Sequence, residues 1–478
     1  MRSLLCYSPS LLLLIATAAL AGDEAVPFSE PLLPLPEKVA AQPMDEGGDP
    51  VPTSSPRAPA PPADFSAQLQ KLQRELDGLK QSEAERQAKD DAADKRRDDV
   101  PSFRISPELQ LDNYYFGQNT ESRTTIGNIP DGAAFRRARI AVLGDYKITE
   151  YRLEMDFAQP GRPSFLDVWG AINELPVVGQ LKIGNFFEPI GLERLTSNRF
   201  APFLERNLPD QPYDPQRNPG IAVQNMWGDK QGVWTLGVFR PRIDNFDDAV
   251  SDSGDWAYDG RFTWMPWYDE ESGGRYYMHL GTAHSYRRTT NRTILFRAQP
   301  EARLGASEPN VPFFIDTGNI AALDYQLHEI EFAWSIGSLY LQAEYYWVPV
   351  GQINGPSLLF TGCYAQVGYF FTGEHRPFRR ETATFDRVKP HTEFFRVRTN
   401  SGVAKGWGAW EIATRISHAD LTDANIGGGR LTDLTVGLNW YLTPYMRLQS
   451  NYIHAFLDPA TAGRTGADIF GMRMQYDF

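Results

Sequence analysis

From about residue 101 to its last residue the chain alternates apolar and polar positions, segment after segment, and no apolar run long enough for a membrane-spanning helix interrupts it. Tyr151, Leu153, Met155 and Phe157 alternate with Arg152, Glu154 and Asp156, and Leu339, Leu341, Ala343, Tyr345 and Trp347 alternate with Tyr340, Gln342, Glu344 and Tyr346. Near the end, Leu434, Val436, Leu438, Trp440 and Leu442 oppose Thr435, Gly437, Asn439 and Tyr441; Phe470, Met472, Met474, Tyr476 and Phe478 oppose Arg473, Gln475 and Asp477. Side chains on a strand point to opposite faces in turn, so each segment has one apolar and one polar face. In a water-soluble sandwich the apolar face turns inward; in a barrel that crosses an outer membrane it turns to lipid and the polar face lines a wet lumen.

Three features select the barrel. The segments are about ten residues long, the length of a tilted membrane strand. The first residues read as an export signal: Met1 and Arg2, an apolar run from Leu11 to Leu20 too short to span a bilayer, and Ala19-Leu20-Ala21 at the spacing a signal peptidase needs. The chain stops on an apolar strand ending Tyr476-Asp477-Phe478, which resembles the signal read by the outer-membrane assembly machinery and makes that machinery a partner through Phe478.

Sixteen candidate strands follow: 104–116, 134–145, 147–157, 165–174, 178–187, 220–227, 232–243, 256–266, 274–286, 327–336, 337–347, 361–373, 406–419, 430–443, 444–456 and 466–478. The count is even, as bacterial barrels require. With both termini in the periplasm, odd-numbered links are outer loops and even-numbered links are short turns, and long links do fall at 117–133, 188–219, 244–255, 287–326 and 348–360. The long basic link 374–405 breaks the rule, either as a lid entering the inner vestibule or as a sign of mispaired strands. The third loop is far longer than the usual strand connection. It carries Arg194, Arg199, Arg206 and Arg217 among prolines and aromatics, which predicts that it folds into the barrel and narrows it.

The expected organisation is a signal peptide at 1–21, a proline-rich linker at 22–64, a short coiled-coil stalk at 65–98 and a barrel over 99–478. The linker's Pro, Ala, Glu and Asp cannot bury enough surface to offset ordering. In the stalk Phe65, Leu69, Leu72, Leu76 and Leu79 form a heptad seam, either an oligomer-forming stalk or a solvated helix.

The formal net charge of −13 suggests a cation pore, but selectivity is set by charge at the narrow point. Within 101–478 the basic residues are 31 Arg and only 5 Lys, and guanidinium stays charged and offers a planar fork suited to phosphate and carboxylate. On the second strand Ile140 and Val142 define the lipid face, which sends Arg137 and Arg139 to the lumen. Each such Arg has a plain alternative role in a salt bridge to a lumenal acid or in contact with lipopolysaccharide.

The stretches FRRARI, KITEYRLEMDFA, KIGNFFEPIGLERLTSNRF with LERNLP, YFFTGEHRPF, FDRVKP, GAWEIATRISH, LTVGLNWYLTP and FGMRMQYDF, in this order, resemble the phosphate-selective porins of the O/P family across most of 101–478. The resemblance implies an outer-membrane homotrimer of sixteen-stranded barrels whose third loop folds inward to an eyelet that passes phosphate or polyphosphate. It implies pore roles for Arg194, Ser197 and Asn198 on the third loop, Arg136 and Arg137 at the start of the second strand, Asp167 as the eyelet acid and Arg206 as a further pore arginine. Arg194 stands where the family pattern has Lys and Asn198 where it has Ser, which keeps an anion preference and leaves phosphate against other small anions open.

The expected function is therefore passive uptake of anions across the cell outer membrane, in contact with lipid and lipopolysaccharide. The competing readings are a general porin without phosphate preference and a plugged structural or adhesin barrel. The seven histidines are scattered, and no Ser, His and acid grouping follows from spacing, so no enzyme, cofactor, metal or nucleic-acid partner is expected. Deleting 65–98 is expected to leave a barrel that inserts and conducts, with any loss confined to trimer yield or periplasmic anchoring; failure to fold, followed by heat-modifiable mobility, would make the coil integral.

Overall fold

The computed structural model describes residues 100–159, 161–241, 255–306, 310–399, 402–459 and 463–478. The signal peptide, linker and coil expected over 1–98 lie outside the described residues.

Sixteen long strands run β1 Arg104–Gln118, β2 Gly132–Tyr146, β3 Thr149–Asp156, β4 Ser164–Leu175, β5 Gly179–Phe187, β6 Arg217–Trp227, β7 Gly232–Phe239, β8 Trp256–Tyr268, β9 Tyr276–Arg288, β10 Ile320–Ile336, β11 Leu339–Gln352, β12 Leu358–Phe370, β13 Ala409–Asp423, β14 Ile426–Thr443, β15 Met446–Asp458 and β16 Thr465–Asp477. Each pairs antiparallel with the next, and β1 pairs with β16 from Glu108↔Asp477 to Gln118↔Ala467, which closes the barrel. Closure leaves no unpaired strand edge.

Burial is inverted relative to a water-soluble protein. On β16, Arg473, Gln475 and Asp477 are at most 2% exposed, whereas Phe470, Met472, Met474 and Tyr476 are each more than 40% exposed. The apolar face therefore looks outward, as the alternation predicts.

The sequence pattern finds all sixteen strands and underestimates several lengths. β10 begins at Ile320 and β11 runs to Gln352, so the fifth and sixth outer links shrink to 289–319 and 353–357. At the opposite, inner end the turns are short, such as 147–148 and 337–338, except for 371–408 between β12 and β13. That link does not reflect mispairing, because β12 and β13 pair directly from Thr361↔Asp420 to Phe370↔Glu411.

Instead its small ladder Phe378–Arg379 with Thr384–Phe385 enters the barrel. There Phe378 packs against Tyr277 and His279, with ring centroids 5.3 and 4.8 Å apart, and Arg261 Nη2 donates to Ala383 O at 2.8 Å. A bulge in β2 adds one inward side chain: Gln110 opposes Arg137 and Leu111 opposes Phe135, leaving Arg136 as the extra residue. Arg136 and Arg137 are thus both buried, where strict alternation sends only one inward.

Because every strand pairs with both its neighbours around the closed ring, the purified barrel should show β-type circular dichroism and resist dodecyl sulfate until boiled. Identical mobility before and after boiling contradicts the fold.

Candidate functional site

β5 ends at Phe187, and the chain then turns into the lumen as far as Gln216. Gly191 permits the turn, since its φ of 78° is left-handed and a Cβ there would run into the Asp214 carboxylate. A short helix, Leu192–Leu195, and a 3-10 turn, Asn198–Phe200, follow.

The loop is held by side chains of the barrel wall. Arg415 of β13 bonds Glu193 Oε1 at 2.9 Å and Glu301 Oε2 at 2.6 Å and donates to Glu205 O at 2.8 Å. Arg447 of β15 donates to Ala201 O at 2.8 Å, and Asn439 of β14 donates to Pro202 O at 2.8 Å. Arg473 of β16 donates to Leu204 O at 2.5 Å and pairs with Asp112 and Glu205. These guanidiniums are almost wholly buried and serve loop carbonyls, which fixes the loop without exposing charge to the lumen. Glu301 comes from the link between β9 and β10, so that link is tied inward as well, with Glu301 N donating to Asp433 Oδ2 at 2.7 Å.

Two cavities flank the loop. The outer one, about 360 Å³, is lined by Arg136, Arg137 and Arg194 among others; the inner one, about 400 Å³, by Asp167, Ser197, Asn198, Arg152 and Lys182. Four residues line both: Arg139, Phe187, Arg206 and Arg217. The Phe187 ring gathers three guanidiniums, with Arg217 at 3.9 Å, Arg206 at 5.6 Å and Arg194 at 5.7 Å from its centroid. Such cation–π contact orients a guanidinium without neutralising it. Among the described residues, each cavity is lined by eight Arg or Lys and by three Asp or Glu side chains.

All seven site residues predicted from sequence line one cavity or the other, at different heights and with different partners. Arg136 grips Glu205 with two bonds, at 2.8 and 3.0 Å, and Arg137 donates to Gln110 Oε1 at 2.6 Å. Despite burial, which opposes it, the Glu205 carboxyl is held well below its ordinary range by Arg136, Arg137 and Arg473. Arg194 donates to Asp210 O and Oδ2, both at 2.8 Å, and lines only the outer cavity. Asp167 accepts from Arg217 at 2.9 Å. Asn198 donates to Glu108 and accepts from Arg139 at 3.2 Å, while the Ser197 hydroxyl accepts from Arg199 N at 3.4 Å.

Arg206 alone of the seven reaches both cavities, its guanidinium steadied by the carbonyls of Glu193, Arg194 and Thr196 at 3.0–3.1 Å. Burial, partly offset by Asp210, brings it down to about 10, so it stays cationic at neutral pH. Arg139, Arg217 and Phe187 line both cavities in addition to the seven residues expected from sequence. The first two carried signals, a lumenal strand parity and a place on the loop; Phe187 carried none, because nothing local marks a strand-end aromatic as a platform.

The family model described as phosphate-selective porin O and P matches residues 109–478. Porin O of Pseudomonas aeruginosa is 27% identical over 415 residues, covering 79% of this chain and 88% of that protein. An uncharacterized protein of Caulobacter vibrioides is 26% identical over 399 residues, 79% of this chain and 74% of its own length. Among solved structures, the anion-selective porin from Comamonas acidovorans superposes with a TM-score of 0.50 at 10% identity, covering 79% of this chain and all of that one. At that identity the likeness speaks for the fold alone.

Replacing Arg415 by Met leaves Glu193 and Glu301 buried without their cation, a change that costs about 3–5 kcal/mol when one partner of a buried pair is removed. The expected result is a lower temperature of heat-modifiable unfolding and noisier single-channel current as the loop loosens. Arg464→Met, at an exposed pair with Asp458, should change neither.

Proposed function

The chain belongs to the phosphate-selective porin O and P family and is an outer-membrane porin, and from that premise we propose that it passes small anions, phosphate or polyphosphate foremost, through an arginine constriction. The observation that carries this reading is the eight-to-three excess of cationic over anionic side chains around each cavity, in a chain whose formal net charge is −13. Rings of Arg or Lys are how anion pores are built.

The proposed path runs past Arg136, Arg137 and Arg194 to a narrow point at Arg139, Arg206 and Arg217, then past Asp167, Ser197 and Asn198. At the narrow point a tetrahedral oxyanion meets forked donors already oriented by Phe187 and by loop carbonyls. Asp167 and Asp210 hold neighbouring guanidiniums and weaken the site enough for an anion to leave, which conduction requires. The lumen performs selection without chemistry, so no enzymatic step is assigned. Export by a cleaved signal peptide, assembly as a homotrimer and insertion guided by Phe478 complete the reading.

Two unit charges about 4 Å apart interact by roughly 4 kcal/mol at an effective dielectric near 20. If water and salt leave a quarter of this, about 1 kcal/mol, occupancy changes roughly fivefold. Arg206→Gln and Arg217→Gln should therefore each lower chloride-over-potassium selectivity in planar bilayers and weaken phosphate block of the chloride current severalfold. Arg194→Glu, one cavity higher and paired with Asp210, should have a smaller effect, and Arg288→Glu, exposed at the end of β9, none. Reversal potentials unchanged in both Gln variants, or shifted equally by Arg288→Glu, contradict the constriction.

A further inference from the structure

Behind the constricting loop, Glu329 and Glu331 of β10 and Glu344 of β11 share the inner face of the wall. Glu331 and Glu344 are directly opposite in the ladder, and Glu329 is two residues away on the same face. All three are buried, and one carboxylate oxygen from each lies within 4.8 Å of the other two. Like charges opposite one another destabilise a sheet.

The available cations do not balance them. Arg261 and His279 both bond Glu331, at 2.7 and 2.8 Å. Among the described residues Glu344 receives neutral donors, Glu193 N at 2.8 Å and the Tyr346 hydroxyl at 2.8 Å, and that hydroxyl also faces Asp214 Oδ2 at 3.0 Å. Glu329 is fully buried, and neither of its carboxylate oxygens has a hydrogen-bond partner among the described residues. Glu329 thus turns an unpartnered, fully buried carboxylate toward two further carboxylates, and all three offer hard oxygen donors at one place.

We propose that Glu329, Glu331 and Glu344 hold a divalent cation of the calcium class that ties the barrel wall to the constricting loop. The donors are all hard oxygens. Calcium takes its ligands at about 2.3–2.6 Å, so ligand oxygens lie at most about 5 Å apart, and the spacing here fits that shell. Magnesium needs a shell of about 2.0–2.1 Å and retains several waters, which suits a crowded, buried site less well. Because Glu344 also accepts from Glu193 N, at the start of the short helix carrying Arg194, the ion would brace the loop from behind. It would lie outside the anion path, since none of the three carboxylates lines either cavity.

The test uses full-length barrel refolded without lipopolysaccharide, which itself binds divalent cations, and stripped on a chelating resin. Equilibrium dialysis with calcium should find one saturable ion per barrel, weakened at least tenfold in Glu329→Gln and unchanged in Glu121→Gln, an exposed acid of an outer link. Calcium should also raise the temperature of heat-modifiable unfolding in the native protein and not in Glu329→Gln. Should Glu329→Gln fail to fold, terbium replaces calcium: its emission, sensitised by Tyr346, should be displaced by calcium in the native protein and fall in Tyr346→Phe. Absence of saturable binding, binding unaffected by Glu329→Gln, or terbium emission unaffected by Tyr346→Phe would overturn the proposal and leave the carboxyls to share protons.

Discussion

A bilayer offers no hydrogen bonds to a strand, so every backbone N–H and C=O within it must be paired inside the protein. That constraint joins β1 to β16 and turns the sheet into a ring. Once the ring is closed, the apolar half of each strand is committed to lipid and the polar half is confined inside. The buried Arg473, Gln475 and Asp477 and the exposed Phe470, Met472 and Met474 on one strand are two sides of the same requirement.

A ring of sixteen strands encloses more space than its own side chains fill. Chain from outside the strands fills it: the third loop, the link carrying Glu301, and from the inner end the ladder around Phe378 and Phe385. The third loop and the inner ladder touch where Phe385 N donates to Thr196 Oγ1 at 3.3 Å. The lumen thus becomes two polar cavities that share one ring of residues, Arg139, Phe187, Arg206 and Arg217, and the apolar residues Leu204, Leu208 and Tyr213 of the loop pack on the outer half of the wall.

The arginines do different work according to exposure. Arg415, Arg447 and Arg473 are sealed against loop carbonyls and carboxylates and act as fasteners. Arg139, Arg206 and Arg217 face both cavities with one side and are steadied on the other by Asp156, loop carbonyls and Asp167. One residue type serves both ends because guanidinium keeps its charge when buried and satisfies several acceptors at once.

Alternation and segment length determined the barrel, its sixteen strands and its lipid-facing side, because alternation repeats every two residues and both properties are local. The motif resemblance led to side chains that line the lumen, Arg136, Arg194 and Asp167 among them. Tertiary structure decided their heights and partners. The β2 bulge turned Arg136 inward beside Arg137, against simple parity. Packing of the loop gave Arg194 to Asp210 and left Arg206 and Arg217 on the shared ring around Phe187. The inner link resolved into an inserted ladder, and Glu344 met Glu329 and Glu331 only through the register of β10 on β11. These outcomes depend on contacts between residues far apart in the chain, and a single sequence carries no local signal for which distant side chain a guanidinium or a carboxylate will meet.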